Sequence, residues 1–298
     1  CKELRDGGYS ASDLKAADHS ASDLRNAGYP VRALRNAQFT CAELTGAHYA
    51  TKELLVGGFT PFEMREVGFT AKQMRAAGLG IEELKMADYS AMDLRNAKFT
   101  VKDLRGVGFT AVQLESVGCT ATELRQGGFT VEEMHAADFP VYELRSCGFN
   151  CADLKKVGYN AEDLKSAGAS AKELKQGGFD AGELRLCGYT AQQLKAVDYT
   201  CTQLKNGGFS AKALELVGFQ APALKVAGFR AREIKDCGLK VAGGGVFDLS
   251  ELKADGFTLK ELRNEEGFVL KDLAEVFSVE DLRVKGDFMP AELLNVGF

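Results

Sequence analysis

Large apolar residues recur every ten positions along this chain, with small and aromatic residues at fixed places between them. From residue 1 to 240 the sequence divides into 24 ten-residue units without an insertion. Position 4 of each unit is Leu, relaxed only to Met64, Met74, Met134 and Ile234. Position 9 is most often Phe or Tyr, position 8 most often Gly, and position 10 often Ser or Thr. Positions 1 and 7 are nearly always Ala, Val, Gly or Cys.

The unit from Phe99 to Phe109 shows what this pattern predicts. Thr100 followed by Asp103 reads as a capping box, in which the hydroxyl accepts from the third helical N–H and the acid reaches back to the cap. Pro61 stands at a first helical position, where a missing N–H costs nothing. Gly108 then ends the helix in a left-handed conformation that a side chain resists. Each helix is therefore about two turns long. Phe99 precedes the cap and is placed to staple onto Leu104, and Phe109 follows the glycine and is placed to fold back on the same Leu104. Leu104, Phe99, Phe109 and Gly108 are the expected core of this unit.

The five-residue step between Leu and Phe also suits a pentapeptide β-helix, which needs a small residue two places before each large one. Val107 meets that need before Phe109, but Lys102 before Leu104, Glu82 before Leu84 and Tyr142 before Leu144 do not. The helical reading accounts for every position. Isolated helices shorter than about 12–15 residues are marginal, so the units must stack. Small residues at positions 1 and 7 let neighbouring helices approach. The predicted fold is all-α, an α-solenoid of near-equivalent helix–turn steps. How many helices make one turn of the solenoid is not legible in the repeat.

On these residues the chain resembles the short-helix decapeptide-repeat proteins predicted in algal and protist genomes, of GFSAKELKEAG type. The resemblance spans nearly the whole chain. It implies the architecture and carries no activity or functional residues with it.

After Lys240 the stretch VAGGGVF, 241–247, replaces a helix, and its three glycines suit a degenerate repeat. A phosphate-binding loop would need the strand and the Lys-Ser/Thr ending that are absent here. From 248 to 298 the theme resumes irregularly. The step from aromatic to Leu stays at five, as from Phe257 to Leu262, while the step from Leu to the next aromatic drifts. This tail carries net charge −6 against −5 for the whole chain, which suits a solvated end segment or a docking surface for a basic partner. A near-neutral array argues against a dedicated polyanion binder. No apolar run approaches a membrane span. The chain starts at Cys1 without an initiator Met or a leader, as expected of a processed product or a fragment.

Candidate chemistry is sparse. His19, His48 and His135 occupy three different repeat positions and form no ligand spacing. Seven of the eight cysteines stand at positions 1 and 7, where small residues belong, and Cys119 replaces an aromatic. Cys147 and Cys151 are close in sequence, but no second pair or nearby His completes a zinc site. Core-placed, unpaired cysteines favour a reducing compartment. Acid stands at position 3 in 17 units and base at position 5 in 19. Those signs suit the first and last turns of a helix, so the charges read as a stability and solubility device. No metal, cofactor or catalytic residue is expected.

Variation concentrates at positions 2 and 6, four apart on one helical face. A constant frame with variable outward residues is how solenoids present binding surfaces. The expected function is therefore a non-catalytic scaffold for other proteins, as a structural or linker subunit of a larger assembly. Peripheral attachment to a membrane complex is compatible with this. The alternative is a nucleic-acid reader using the position-5 bases. Apolar residues at the variable positions mark the candidate protein interface: Val56, Phe62, Met86, Met92, Val112, Tyr142 and Leu186. Val56 with Phe62, and Met86 with Met92, are expected to merge into patches between Val56 and Tyr142.

Overall fold

A computed structural model of the chain describes residues 2–237, 249–254, 256–264 and 268–297. Among the described residues there are 29 α-helices and no strand, from α1 (Lys2–Asp6) to α29 (Pro290–Leu294) in chain order. The 241–247 break lies outside the described residues, as do parts of the tail. Through residue 235 each ten-residue unit contributes one helix of five or six residues, about a turn and a half. The expected α-solenoid is thus the observed architecture, built from slightly shorter helices. Two compact units divide it, Cys1–Cys147 and Gly148–Phe298.

The helix ends form as the local sequence dictates. In α11 (Val101–Gly106) the Asp103 N–H donates to the Thr100 hydroxyl at 3.1 Å, and the Thr100 N–H donates to the Asp103 carboxylate at 2.8 Å. At the other end the Phe109 N–H donates to the Leu104 carbonyl at 3.1 Å and the Gly108 N–H to the Arg105 carbonyl at 2.9 Å. That is the paired bonding of a Schellman cap. Gly108 has φ +87°, and position 8 has positive φ in every unit from residue 8 to 228. Seven of those positions carry Asp, Gln, His or Lys instead of Gly, so the cap geometry is imposed even where a side chain resists it.

Through the array, helices pack more on the second helix along than on the next. Thus α4 (Val31–Asn36) packs on α6 (Thr51–Val56), α8 (Ala71–Ala76) on α10 (Ala91–Asn96), and α11 on α13 (Ala121–Gln126). Two helices therefore complete one turn of the solenoid, and odd- and even-numbered helices form separate stacks. Position 1 of one helix meets position 7 of its stacking partner. A β-carbon added to Gly57 would run into Val31, and one on Gly127 would meet Val101. The position-4 side chains lie at the centre: Leu104 and its equivalents from Leu24 to Ile234 are wholly buried. Phe109 is buried and Phe99 half-buried.

Tyrosine at position 9 adds a bond that phenylalanine lacks. The Tyr89 hydroxyl donates to the Phe69 carbonyl at 2.6 Å, and Tyr199 to the Phe179 carbonyl at 2.6 Å, each spanning one turn of the solenoid. Tyr49 donates to the Tyr29 carbonyl and Tyr29 to that of Tyr9, forming a short ladder.

In the second unit the stack resumes beyond the break. The Lys225 ammonium donates to the Gly256 carbonyl and lies 4.4 Å from the Phe257 ring centre. The helix α25 (Leu249–Ala254) therefore holds the place two helices on from α23 (Ala221–Val226). Leu252, Leu262, Leu273 and Leu282 are wholly buried, so the tail keeps the same core.

Candidate binding faces

The bases at position 5 are numerous enough to suggest a cationic surface. Their heads turn inward along the stack. The Arg75 guanidinium donates to the Ala97 carbonyl at 2.6 Å and lies 4.3 Å from the Phe99 ring centre. Lys175 treats Val197 and Tyr199 in the same way. The acceptors are carbonyls at the C-terminal end of the second helix along, groups that no helix satisfies internally. Some arms reach further, to the capping acid of the third helix along: Arg35 to Glu63 at 3.3 Å, Arg95 to Glu123 at 3.3 Å and Lys155 to Glu183 at 2.9 Å. The sequence reading assigned these bases to their own helix ends. In the structure they join successive turns.

The position-3 acids are engaged as well. Hydrogen bonds from Thr100 hold the Asp103 carboxyl below the ordinary carboxylate range, and those from Thr60, aided by Arg35, do the same for Glu63. These acids therefore stay ionised as caps and offer no raised-pKa proton donor. Burial pushes the Cys41, Cys119, Cys201 and Cys237 thiols up, so they are less nucleophilic than free thiols. None of the seven described cysteines is in a disulfide. Among the described residues no cluster of His, Cys, Asp and Glu has the make-up of a metal site.

What faces outward is positions 2 and 6. Val56, Phe62, Met86, Met92, Val112, Tyr142 and Leu186 are all exposed, from 44% for Met92 to 86% for Met86. Leu216 and Val226, also at position 6, are exposed at 74% and 82% and were not singled out from the sequence, although the same positional rule would have found them. The two-step stacking regroups these residues. Arg32, at position 2 of α4, and Val56, at position 6 of α6, line one open groove with Tyr29, Val31 and Lys52. Lys102 and Gln126 repeat that pairing across α11 and α13. The equivalent partner of Phe62 on α7 (Pro61–Glu66) is Met86 on α9 (Ile81–Met86), the next helix of its stack. Val56 and Phe62 belong to different stacks, as do Met86 and Met92, while Phe62 and Met86 stand on helices of one stack. The Phe62 ring is flanked by the Arg65 guanidinium at 5.4 Å. Tyr142 lies further along the first unit, and Leu186 belongs to the second.

The geometry of cap, left-handed turn and buried Leu repeats through the array, and the model of the decapeptide repeat region matches residues 1–70, 48–120, 68–141, 118–187 and 178–244. The chain belongs to the decapeptide-repeat family. Comparison of the decapeptide-repeat chain with curated proteins gave no match, and comparison with solved structures gave none. Membership establishes the repeat and its helical architecture. No helix among the described residues is long and apolar enough to cross a membrane.

Proposed function

We propose that this decapeptide-repeat chain is a non-catalytic scaffold that binds other proteins through positions 2 and 6, as a structural or linker subunit of a larger assembly. One observation carries the reading. Between residues 11 and 237, every large apolar side chain that is exposed stands at position 2 or 6. The frame absorbs the remaining large apolar groups, and variable apolar groups remain on a regular outer grid, the anatomy of a solenoid binding surface. Peripheral attachment to a membrane complex is compatible with such a grid.

The nucleic-acid reading is weaker on the same geometry. It would draw on the position-5 bases, yet those heads are already engaged with carbonyls and aromatic rings one turn away. Catalysis would need converging polar groups with matched pKa values, and the polar groups of the repeat converge on helix caps.

The test is capture of native partners by the full chain and by the Phe62→Ser/Met92→Ser variant, with melting followed alongside. Lost capture at an unchanged melting temperature supports the scaffold. Retention of oligonucleotides in place of proteins at low salt would replace it with the nucleic-acid reading.

A further inference from the structure

The even-numbered helices of the first unit carry a charge pattern that the fold does not use. Position 2 reads Arg32, Lys52 and Lys72 on α4, α6 and α8, then Met92 on α10 and Val112 on α12 (Ala111–Ser116). α4 packs on α6 and α8 on α10, and the regular ten-residue repeat continues the same two-step stacking from α6 to α8 and from α10 to α12. All five side chains are exposed. Unlike the position-5 bases, none of the three cations has a hydrogen bond or an ion pair among the described residues. Arg32 and Lys52 line one groove with Tyr29, Val31, Val56 and Glu53. Acids on this face are few. Glu53 and Asp93 are turned back to the backbone N–H groups of Ala50 and Ser90.

The odd-numbered helices of the same unit mix signs at these positions: Lys102 stands on α11, and Glu66 is paired with Arg65 at 3.0 Å. Phe62 and Met86 there are accompanied by Glu66 and Glu82 at the same variable positions. The even face, with three cations followed by two apolar residues, calls for negative charge at one end and apolar groups at the other.

Spacing narrows the occupant. Packed helices lie about 8–10 Å apart, so successive position-2 cations are separated by about that distance. Three residues of a polyproline II chain rise about 9 Å and complete one turn, so every third side chain returns to the same side. We propose that the even face of α4 to α12 docks an acidic segment of a partner protein in polyproline II conformation, with carboxylates at every third residue opposite Arg32, Lys52 and Lys72. Apolar residues continue the same three-residue rhythm over Met92 and Val112. A nucleic acid would prolong its charge past the third step, where this face turns apolar. The inference rests on the scaffold reading and specifies one of its partners.

The experiment is fluorescence anisotropy of the full chain with labelled peptides. One peptide carries three glutamates at every third position followed by two leucines at the same interval, with serine between. A second has the same composition with the glutamates adjacent, and an oligothymidylate is the third probe. The spaced peptide should bind about tenfold or more tightly than its isomer. It should lose that advantage in Arg32→Ser/Lys52→Ser/Lys72→Ser at an unchanged melting temperature, because exposed charges carry little stability. The same charge change in Lys102→Ser/Lys172→Ser/Lys212→Ser should leave binding intact, and Met92→Ser should weaken it. Equal binding of the two isomers, equal loss in the control variant, or tighter binding of the oligothymidylate through the three cations overturns the inference. If native partners are still captured by the Arg32/Lys52/Lys72 variant, this docking mode fails while the scaffold stands. If the unaltered chain captures no protein, the scaffold itself falls.

Discussion

Arg35 and Glu63 stand 28 residues apart and meet at 3.3 Å. Arg35 lies in the last turn of α4 and Glu63 in the capping box of α7, three helices on. Between them the Arg35 guanidinium lies 4.8 Å from the Phe59 ring centre. One side chain thus touches the end of the second helix along and the start of the third. The same arrangement recurs at Arg95 and Glu123 and at Arg105 and Glu133. A cation that looks like surface decoration in one unit is a tie between turns in the folded chain.

That tie distinguishes two basic residues of one helix. Arg75→Ala removes the bond to the Ala97 carbonyl and the stacking on Phe99, and should cost about 1–2 kcal/mol. Lys72→Ala, at exposed position 2, should be nearly neutral. Thermal or denaturant unfolding of the two variants checks this, and equal effects would remove the position-5 tie.

Two glycines should respond with opposite sign to the same change. Gly106 lies inside α11 with open space where a β-carbon would point, so Gly106→Ala should raise stability by about 0.4–1 kcal/mol. Gly127 faces Val101 of its stacking partner, and a β-carbon there would lie 2.5 Å from the valine side chain. Gly127→Ala should therefore lower stability by about 1–3 kcal/mol. Melting temperatures moving the same way would contradict the two-step packing.

The capping boxes set the acid response. Hydrogen bonds hold the folded-state pKa values of Asp103, Glu63, Glu43 and Glu123 below their ordinary values. A lowered folded value means that the contribution is present above the unfolded carboxylate range of about 4 and is lost as pH falls through the folded values. Melting temperature should therefore hold near neutral pH and drop below about pH 4. Replacing Asp103 by Asn together with Glu63 and Glu123 by Gln should flatten that drop, as circular dichroism melts across pH would record. An unchanged slope in the triple variant would show that the boxes do not govern it.

At high pH the buried phenol of Tyr89 should act in the opposite direction. Burial pushes it up to about 12 while it donates to the Phe69 carbonyl. A raised folded value gives stability that is present below the ordinary phenol value of about 10 and is lost as pH rises through the folded one. Tyr89→Phe should cost about 0.5–1.5 kcal/mol at neutral pH. The ultraviolet difference titration between the two proteins should show no phenolate near pH 10, and a titration there would place Tyr89 in solvent.

Local chemistry alone determined the helix, its two ends and the buried residue. Thr100 with Asp103, Gly108 with Phe109, and Leu104 between them all act within ten residues, through bonds whose partners are set by short chain geometry. Exposure at positions 2 and 6 follows from the same rule, which is why Val56, Phe62, Met86, Met92, Val112, Tyr142 and Leu186 could be named from the sequence. Only the tertiary structure decided which helices meet. Every unit presents nearly the same small, apolar and charged edges, so stacking on the next, second or third helix looks alike in a linear reading. The choice is made by packing position 1 against position 7, as at Val31 and Gly57, and by the reach of an arginine or lysine to carbonyls one turn away. It sets Val56 and Phe62 in different stacks and Arg32, Lys52 and Lys72 in one, because neighbours in a solenoid with two helices per turn are twenty residues apart in the chain.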